Sequence, residues 1–380
     1  MWKTASILVT IVLVLVMLGI IMLASTSSVH GRTIYKDSMY FIKRQLLSLF
    51  VGFIAAAILA NVDYRYYRGF LSVFLGGLSV ILLVMVLIPG IGINVNGSYR
   101  WLRFGPLTFQ PSELTKFTTV LFLGWWMARI QRHAHELRLG LVTPLLCLGA
   151  TLGLIFIEPD FGTTMLIAVV GMTMMFVAGT RVSYLAVSAA VGLAGFSLAI
   201  MQNAERMRRI TAFLNPEKYA KDEAFQLLNA IYAFVVGGGS GVGLGQSLQK
   251  RFYLPEAHTD FIFAILGEEL GMAASILVVV LFLGFFICGV RISFRAPDQF
   301  GRLLGLGLTL MTVVQAAINI GVVTGSLPTK GLPLPFISYG GTSLVVSLAM
   351  VGVLVNIARQ VGDDGEPDEA RYFKDAAHSV

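Results

Sequence analysis

The chain has 380 residues, of which 56% are hydrophobic and only 13% are charged. Soluble globular domains carry about 25% charged residues, so this composition excludes an ordinary cytosolic enzyme, a disordered chain and a disulfide scaffold. The formal net charge of +7 is weak support for binding to DNA or RNA, because the basic residues are spread over many connectors, where a membrane protein uses them for its topology. Composition therefore predicts an integral membrane protein without a nucleic-acid partner.

The chain contains ten apolar runs that can cross a bilayer, since a helix needs about 20 residues to span about 30 Å of hydrocarbon. The predicted fold class is all-α, a polytopic integral membrane protein with about ten transmembrane helices. The first run exceeds the core of a usual signal peptide and is predicted to be retained. The predicted spans are residues 5–24, 42–61, 70–88, 111–128, 141–157, 162–179, 183–201, 261–290, 303–323 and 338–358.

An even number of spans puts both termini on one side of the membrane, and the bias of Lys and Arg among the short connectors indicates which side. Eleven basic residues flank the spans on the side of the termini, against seven on the opposite side. Both termini are therefore predicted to be cytoplasmic. Residues 1–360 form one predicted membrane domain, and residues 361–380, which include an acidic segment, are predicted to be a disordered cytoplasmic tail.

One connector, residues 202–260 between the seventh and eighth spans, is much longer than the others. Connectors of this length are usually functional or disordered. Aromatic residues such as Phe213, Tyr219 and Phe225 favour order. We predict a long, ordered extracytoplasmic loop with amphipathic segments on the outer leaflet.

Two features that resemble cofactor sites do not meet the requirements for one. Cys147 and Cys288 lie in apolar stretches without another Cys or a His at ligand spacing, so both are predicted to be inert core residues. The glycine-rich segment 237–245 has no Lys-Ser or Lys-Thr at nucleotide-loop spacing. A flexible turn, or a close backbone approach to a ligand, explains it better.

Three ionisable residues, Glu256, His258 and Asp260, lie within five positions where the long loop re-enters the membrane. Ionisable groups at this depth are costly, and a functional role is the default hypothesis. The alternative is structural, because Thr259 and Asp260 suit the N-terminus of the eighth helix, where a carboxylate meets the positive end of the dipole. Position alone does not separate the two interpretations.

Glu113 and Lys116 lie three residues apart at the start of the fourth span, on one helical face. A local ion pair explains both residues. However, Lys116 begins a turn that continues as Phe-Thr-Thr-Val-Leu, which is deep for a surface charge and favours a functional role.

The outer connectors hold further candidates. Asp160 lies in a short turn between the fifth and sixth spans, which by itself is ordinary turn chemistry. Arg100 and Trp101 precede the fourth span, and the long loop opens with Arg206, Arg208 and Arg209. Arginines hold pyrophosphate or headgroup phosphates in bidentate fashion, although topology or binding of anionic lipid explains them equally well.

The segment before the last span, from Gly331 to Pro335 and on to Ser338, is rich in proline and glycine. Proline limits the conformational freedom of a loop, so we predict a rigid outer loop that forms the wall of a cavity. Glu268 and Glu269, about two turns beyond Asp260, are candidates for buried partners, and helix packing or a water-filled pocket explains them equally well.

Taken together, these segments resemble the SEDS family (shape, elongation, division and sporulation), polytopic glycosyltransferases that polymerise lipid II into peptidoglycan. The resemblance spans most of the chain, and its motifs are Gly97-Ser98-Tyr99-Arg100-Trp101, Phe109-Gln110-Pro111-Ser112-Glu113, Pro159-Asp160-Phe161-Gly162, Leu254 through Phe261 and Pro328 through Gly341. Gln249-Lys250 and Pro328-Thr329-Lys330-Gly331 resemble the division branch of the family more than the elongation branch. Asp222 through Gln226 departs from the Gly-Tyr-Gln of many members.

The resemblance implies that Asp260 corresponds to the essential outer-face aspartate, and that Glu113, Lys116 and Asp160 correspond to other important polar positions. The reaction joins an acceptor sugar 4-hydroxyl to an anomeric carbon while undecaprenyl pyrophosphate leaves. Asp260 is the predicted general base, and Lys116 orients Asp260 or counters the pyrophosphate charge. A divalent cation, Mg or Mn, can share that load, and no other cofactor is expected. The predicted substrate-binding residues are Arg100, Trp101, Arg208, Glu256, His258 and Ser338.

The resemblance also implies the partners and the location. The expected partners are lipid II, a class B penicillin-binding transpeptidase, other membrane proteins of the division machinery and membrane lipids, at the bacterial cytoplasmic (inner) membrane. Two rival functions remain open, a lipid II flippase that makes no bond and a non-catalytic division scaffold. Polar candidates concentrate at the outer edge of the spans, which favours chemistry there over a polar path through the membrane.

Overall fold

The computed structural model describes residues 1–95, 97–105, 107–222, 224–250 and 253–363. The described chain is dominated by helices, which confirms the predicted fold class. The α-helices are α1 Trp2–Ile34, α2 Tyr40–Asn61, α3 Phe70–Leu87, α4 Pro111–Arg129, α5 Thr143–Ile157, α6 Phe161–Val177, α7 Val182–Met201, α8 Ala204–Leu214, α9 Phe225–Gly237, α10 Ile262–Phe294, α11 Gln299–Val323 and α12 Gly341–Asp363. Of the predicted tail, residues 361–363 continue α12, and the remainder lies outside the described residues.

Eight of the described helical segments are long and apolar enough to cross a membrane, and they coincide with eight of the ten predicted spans. The other two predicted spans are also helical but have different properties. Helix α6 has 17 residues, slightly short for a full crossing. Helix α4 is long enough but polar, and its Ser, Thr, Glu and Lys side chains are buried in the protein. Polar groups within a membrane helix usually face the protein interior in this way.

Helices α11 and α12 are central, because 67% and 72% of the residues in their most apolar 18-residue stretches are buried. In α7 only 6% of the corresponding residues are buried. Cys288 is buried on α10, as predicted, but Cys147 on α5 is exposed, so the core prediction was wrong for Cys147. In a membrane helix an apolar residue can face lipid as easily as protein, because lipid tails are as apolar as Leu.

The chain between α3 and α4 forms strands that the all-α prediction did not include. Strands β1 Gly92–Val95, β2 Ser98–Phe104 and β3 Leu107–Phe109 make a small antiparallel sheet in the order β1-β2-β3. In this sheet Trp101 is paired with Ile93. The sheet leads directly into α4 and presents the side chain of Arg100 to the turn between α5 and α6.

The glycine-rich segment packs against a break in α10. At Gly271 the backbone has φ 78° and ψ −177°, which interrupts the helix. The carbonyls of Glu268 and Glu269 therefore accept hydrogen bonds from Val242 N and Gly243 N instead, at 2.9 and 3.0 Å. A Cβ on Gly271 would lie 2.5 Å from the Gly239 carbonyl oxygen. The sequence predicts a flexible turn or a close approach to a ligand, whereas in the structure this segment closely approaches the protein's own backbone.

A buried ion pair lies beside this break and joins the long loop to α1 and α10. Lys250 Nζ lies 2.7 Å from Glu269 Oε1 and 2.9 Å from Ser25 Oγ, and Ser25 also donates to Glu269. Glu268 accepts hydrogen bonds from the Ser247 hydroxyl and from Leu248 N. Of the two settings predicted for Glu268 and Glu269, the structure therefore shows packed protein partners.

Candidate active site

Asp260 lies one residue before the cap of α10. The N-cap of this helix is Phe261, and no side chain caps it, so the structural alternative of a capping carboxylate is not what the structure shows. Asp260 is partly exposed, and among the described residues no hydrogen bond is made to its carboxylate. The group is therefore available to an incoming hydroxyl.

The surroundings of Asp260 favour a proton acceptor that titrates near neutrality. Burial, together with the negative charges of Glu256 and Asp160 and against the positive charge of Arg100, raises the pKa of Asp260 to about 7. A base is most effective when its pKa lies near the working pH.

The loop between α11 and α12 supports Asp260 from the other side. A Cβ on Gly331 would lie 2.9 Å from Asp260 Oδ2, so glycine allows the loop backbone to approach the carboxylate closely. Asn319 Nδ2 on α11 donates to the carbonyls of Asp260 and Leu332, at 2.8 and 2.7 Å. The buried side-chain amide of Asn319 thus connects the segment before α10 to the loop between α11 and α12.

Asp160 lies next to this site and caps α6. Its Oδ1 accepts from Thr163 N at 3.0 Å, and its Oδ2 accepts from Thr163 Oγ1 at 2.9 Å. Burial raises the pKa of Asp160, while Arg100 and the bonds from Thr163 lower it. The turn chemistry expected from the sequence is therefore present, and the same carboxylate contributes to the electrostatics of Asp260.

Arg100 extends from β2 to this turn. Its Nε donates to the Glu158 carbonyl and its second terminal nitrogen, Nη2, to the Pro159 carbonyl, both at 2.8 Å. The guanidinium therefore holds the α5–α6 turn with two bonds and also places a positive charge near the acidic groups. Trp101, its partly buried neighbour, lies on the opposite face of the same strand.

Glu113 and Lys116 are both buried near the start of α4, at 3% and 2% exposure. Lys116 Nζ lies 2.7 Å from Glu113 Oε2 and donates to Gln315 Oε1 at 2.7 Å. Gln315 Nε2 in turn donates to the Pro333 carbonyl at 2.8 Å. The ion pair thus connects α4 and α11 to the same loop that supports Asp260. Lys116 reaches that loop through Gln315, which bonds to the Pro333 carbonyl.

His258 and Ser338 connect the two loops, and Glu256 lies on the segment that contains Asp260. The Ser338 hydroxyl donates to the Thr259 carbonyl at 2.6 Å, and the His258 carbonyl accepts from Tyr339 N at 3.0 Å. The His258 ring also packs against Phe41, with ring centroids 4.7 Å apart. Glu256 is exposed and accepts a bond from the Thr259 hydroxyl at 2.8 Å.

The structure brings most of the predicted site residues together, but Arg208 stands apart. Arg208 is exposed on α8, a helix whose polar and apolar residues separate onto two faces. The contacts of the acidic cluster described above are made by other residues. Its predicted role in substrate binding therefore stays a prediction.

Sequence reasoning missed Glu158 as a candidate. Its side chain is 1% exposed, and neither carboxylate oxygen has a hydrogen-bond partner within the described chain. Burial and, to a smaller extent, the negative charge of Asp160 raise the pKa of Glu158 to about 8, while Arg100 opposes the shift. The signal was present in the sequence as a second acid two residues before Asp160, but only the fold shows that it is buried.

The sequence also predicts a divalent cation, Mg or Mn, near the acidic residues. Within the described ranges, no group of three or more His, Cys, Asp or Glu side chains is arranged to hold a metal ion. Because Mg is commonly held by one or two carboxylates together with substrate phosphates, the divalent cation stays a prediction.

Comparison with known proteins gives consistent matches over most of the chain. A family model named for FtsW, RodA and SpoVE and described as a cell cycle protein matches residues 5–362. The chain is 41% identical over 352 residues to the probable peptidoglycan glycosyltransferase FtsW of Trichlorobacter lovleyi, covering 93% of this chain and 92% of the relative. It is 42% identical over 352 residues to stage V sporulation protein E of Bacillus subtilis strain 168, covering 93% and 96%.

The same similarity extends to three-dimensional structure. One solved chain, from work on the structural coordination of polymerization and crosslinking by a peptidoglycan synthase complex, aligns with a TM-score of 0.77. The sequences are 26% identical, and the alignment covers 93% of this chain and 97% of that chain. The helical architecture described above is therefore shared over almost its whole length.

Proposed function

The chain belongs to the FtsW, RodA and SpoVE family of cell cycle proteins, and from this premise we propose that it is a peptidoglycan glycosyltransferase that polymerises lipid II during cell division. Its FtsW relatives are named probable peptidoglycan glycosyltransferases. The 41% identity to an FtsW relative, against 27% to a solved RodA, supports the division branch over the elongation branch, and the sporulation relative is equally similar at 42%.

The reaction requires one proton transfer and one substitution. The 4-hydroxyl oxygen of the acceptor sugar attacks the anomeric carbon of the donor, and the bond from that carbon to the diphosphate oxygen breaks. The hydroxyl proton passes to Asp260, and undecaprenyl diphosphate leaves as an anion. No strong acid is needed for this leaving group, so the protein's main tasks are to accept one proton and stabilise negative charge.

The observation that carries the proposal is the state of the Asp260 carboxylate. It is partly exposed, it receives no hydrogen bond from the described residues, and its pKa is raised to about 7. An aspartate with its ordinary pKa of about 3.9 is a weak base. A raised pKa makes the ionised form of Asp260 a better proton acceptor while leaving much of it ionised at neutral pH.

The other polar residues support the base. Lys116 and Glu113 hold the loop of Gly331 through Gln315, and Arg100 fixes the turn that carries Asp160. These contacts orient groups around Asp260 with little motion during reaction, which is how positioned residues contribute to rate.

We further propose the setting of this reaction. The active face lies at the outer side of the cytoplasmic membrane, with both termini in the cytoplasm, and the polyprenyl tails stay in hydrocarbon between helices. A class B penicillin-binding transpeptidase is the proposed partner, supported by the similarity to a chain of a complex that coordinates polymerization and crosslinking. Other division proteins bind the same membrane domain.

Purified protein, alone and with the transpeptidase, is given labelled lipid II, and chain products are separated by gel electrophoresis. Wild type is expected to make glycan chains, and Asp260→Asn, which keeps the size of the side chain, is expected to make none. Chain products from both proteins, or from neither in the presence of the partner, would contradict the proposed role. Transfer of lipid II across vesicle membranes without chain products would indicate the flippase instead.

A further inference from the structure

Two cations beside the candidate base are already bound to protein atoms. Arg100 donates to two backbone carbonyls at 2.8 Å, and Lys116 is buried between Glu113 and Gln315. To receive a diphosphate, Lys116 would have to give up these contacts, and the Nε–Nη2 edge of Arg100, which could otherwise meet two phosphate oxygens, is occupied by the two carbonyls. The negative charge of the leaving group therefore calls for other cations near Asp260.

Lys330 is the first such cation, and it directly precedes Gly331, which lies against the Asp260 carboxylate. Its side chain is partly buried. Its Nζ contacts Met165 Sδ at 3.2 Å and lies 5.6 Å from the centre of the Phe196 ring. No carboxylate pairs with it in the part of the chain that the structure describes. An ammonium group in such an environment is stabilised by an added anion.

Arg206 is the second cation. Its guanidinium lies 4.2 Å from the centre of the Phe161 ring and 5.2 Å from that of Phe156. One terminal nitrogen donates to the Ala199 carbonyl at 3.2 Å, and no acidic side chain pairs with it among the described residues. Stacking on an aromatic face leaves the edge of a guanidinium available, and that edge matches phosphate oxygens.

Both cations rest on one aromatic shelf, formed by Phe156, Phe161 and Phe196. Their ring centroids are 4.9, 6.0 and 6.2 Å apart in the three pairs. These rings come from the adjoining ends of α5, α6 and α7, and Phe161 directly follows Asp160. The shelf therefore presents positive charge and apolar surface side by side next to the acidic cluster.

We infer that Lys330 and Arg206 form a subsite for the diphosphate of a polyprenyl-linked sugar donor, with the Phe156–Phe161–Phe196 shelf accommodating the first part of its hydrocarbon chain. The inference rests on the proposed function, because it assigns the leaving group of that reaction. Two cations complement the multiple negative charges of a diphosphate, and an apolar surface beside them suits a lipid rather than a soluble anion.

Binding is measured in an Asp260→Asn background, which removes turnover, with undecaprenyl diphosphate in detergent micelles as the probe. Lys330→Met and Arg206→Met are each expected to weaken binding by about tenfold or more, the loss typical of a charge-assisted hydrogen bond. Lys330→Arg keeps the charge and is expected to stay within about threefold of the parent. Lys218→Met is the matched control, because Lys218 also lies over an aromatic ring, 5.8 Å from Tyr219, on the exposed part of the long loop.

A second arm uses phosphatidylglycerol, which carries a single phosphate in place of a diphosphate, to separate a diphosphate subsite from general binding of anionic lipid. Equal binding of both lipids, with equal losses in Lys330→Met, would overturn the inference, as would undiminished binding of undecaprenyl diphosphate. Thermal unfolding checks that each variant is folded, and Lys330→Gln replaces Lys330→Met if the latter is not. Because the readout is binding, it stays decisive even if wild type makes no glycan chains, which would contradict only the proposed function.

Discussion

The pH dependence of polymerisation tests the assignment of Asp260 most directly. Asp260 accepts a proton only when it is ionised, and its pKa is raised to about 7. The ionised fraction is therefore about one half at pH 7 and about one tenth at pH 6. The value of kcat/KM, which reports the free enzyme, is expected to fall about tenfold for each further unit of acidification, with a midpoint near neutrality.

Glu256→Gln moves that midpoint in a defined direction. The negative charge of Glu256 is the second cause of the raised pKa, after burial, so its removal lowers the pKa of Asp260. We expect the acidic limb of the profile to shift to lower pH by on the order of half a unit, because Glu256 is exposed and its charge is partly screened. Glu217→Gln is the control, since Glu217 is an exposed acid on the same loop and does not contribute to the pKa of Asp260.

The assay is the initial rate of chain formation from labelled lipid II between about pH 5 and pH 9, at constant ionic strength. The position of the limb is compared between proteins, since Glu256→Gln can also change substrate affinity. A rate independent of pH over this range, or a limb that moves to higher pH in Glu256→Gln, would refute the role of Asp260 as the ionised base.

Three further predictions concern packing and charge. Gly331→Ala places a methyl group 2.9 Å from Asp260 Oδ2, so the carboxylate must shift, and chain formation should fall about tenfold or more with little change in melting temperature. Lys250→Met leaves Glu269 buried without its partner, which should destabilise the protein by about 3–5 kcal/mol in thermal unfolding. Glu158 has its pKa raised from 4.5 to about 8, so the native state holds a proton that the unfolded chain releases, and stability falls as pH rises from about 4.5 to about 8. Glu158→Gln should remove this loss and raise the melting temperature at alkaline pH.

Each of these predictions has a control. Gly340→Ala adds a methyl group to the same loop at an ordinary 3.4 Å from Ser343 Cβ, and equal loss of activity in both glycine variants would point to the loop rather than to Asp260. Adding Glu269→Gln to Lys250→Met should recover much of the lost stability, and no recovery would argue against a buried charge as the cause. If Glu158→Gln and wild type lose stability equally between about pH 5 and pH 8, Glu158 is not the buried neutral acid described here.

The relation between sequence and structure differs from residue to residue. Asp260 stood out in the sequence because an acid beside a long apolar run is costly, and the structure shows it as a partly exposed group among other acids. The sequence left Lys116 open between an ion pair and a contact with the base. The fold shows the ion pair, because α11 brings Gln315 to it from 199 positions away. The prediction for Cys147 failed because apolar composition does not distinguish a face toward lipid from a face toward protein.

The sequence by itself determined that the chain is a helical membrane protein, and it marked most of the spans and the acidic residues at their ends. These properties follow from local length and hydropathy, because a bilayer requires about 20 apolar residues for each crossing. Only the tertiary structure decided which polar groups meet. Burial of Glu158, the approach of Gly331 to Asp260 and the shelf that carries Lys330 and Arg206 all depend on contacts between distant segments. The environment that tunes a buried charge is made by those contacts, and no local pattern encodes them.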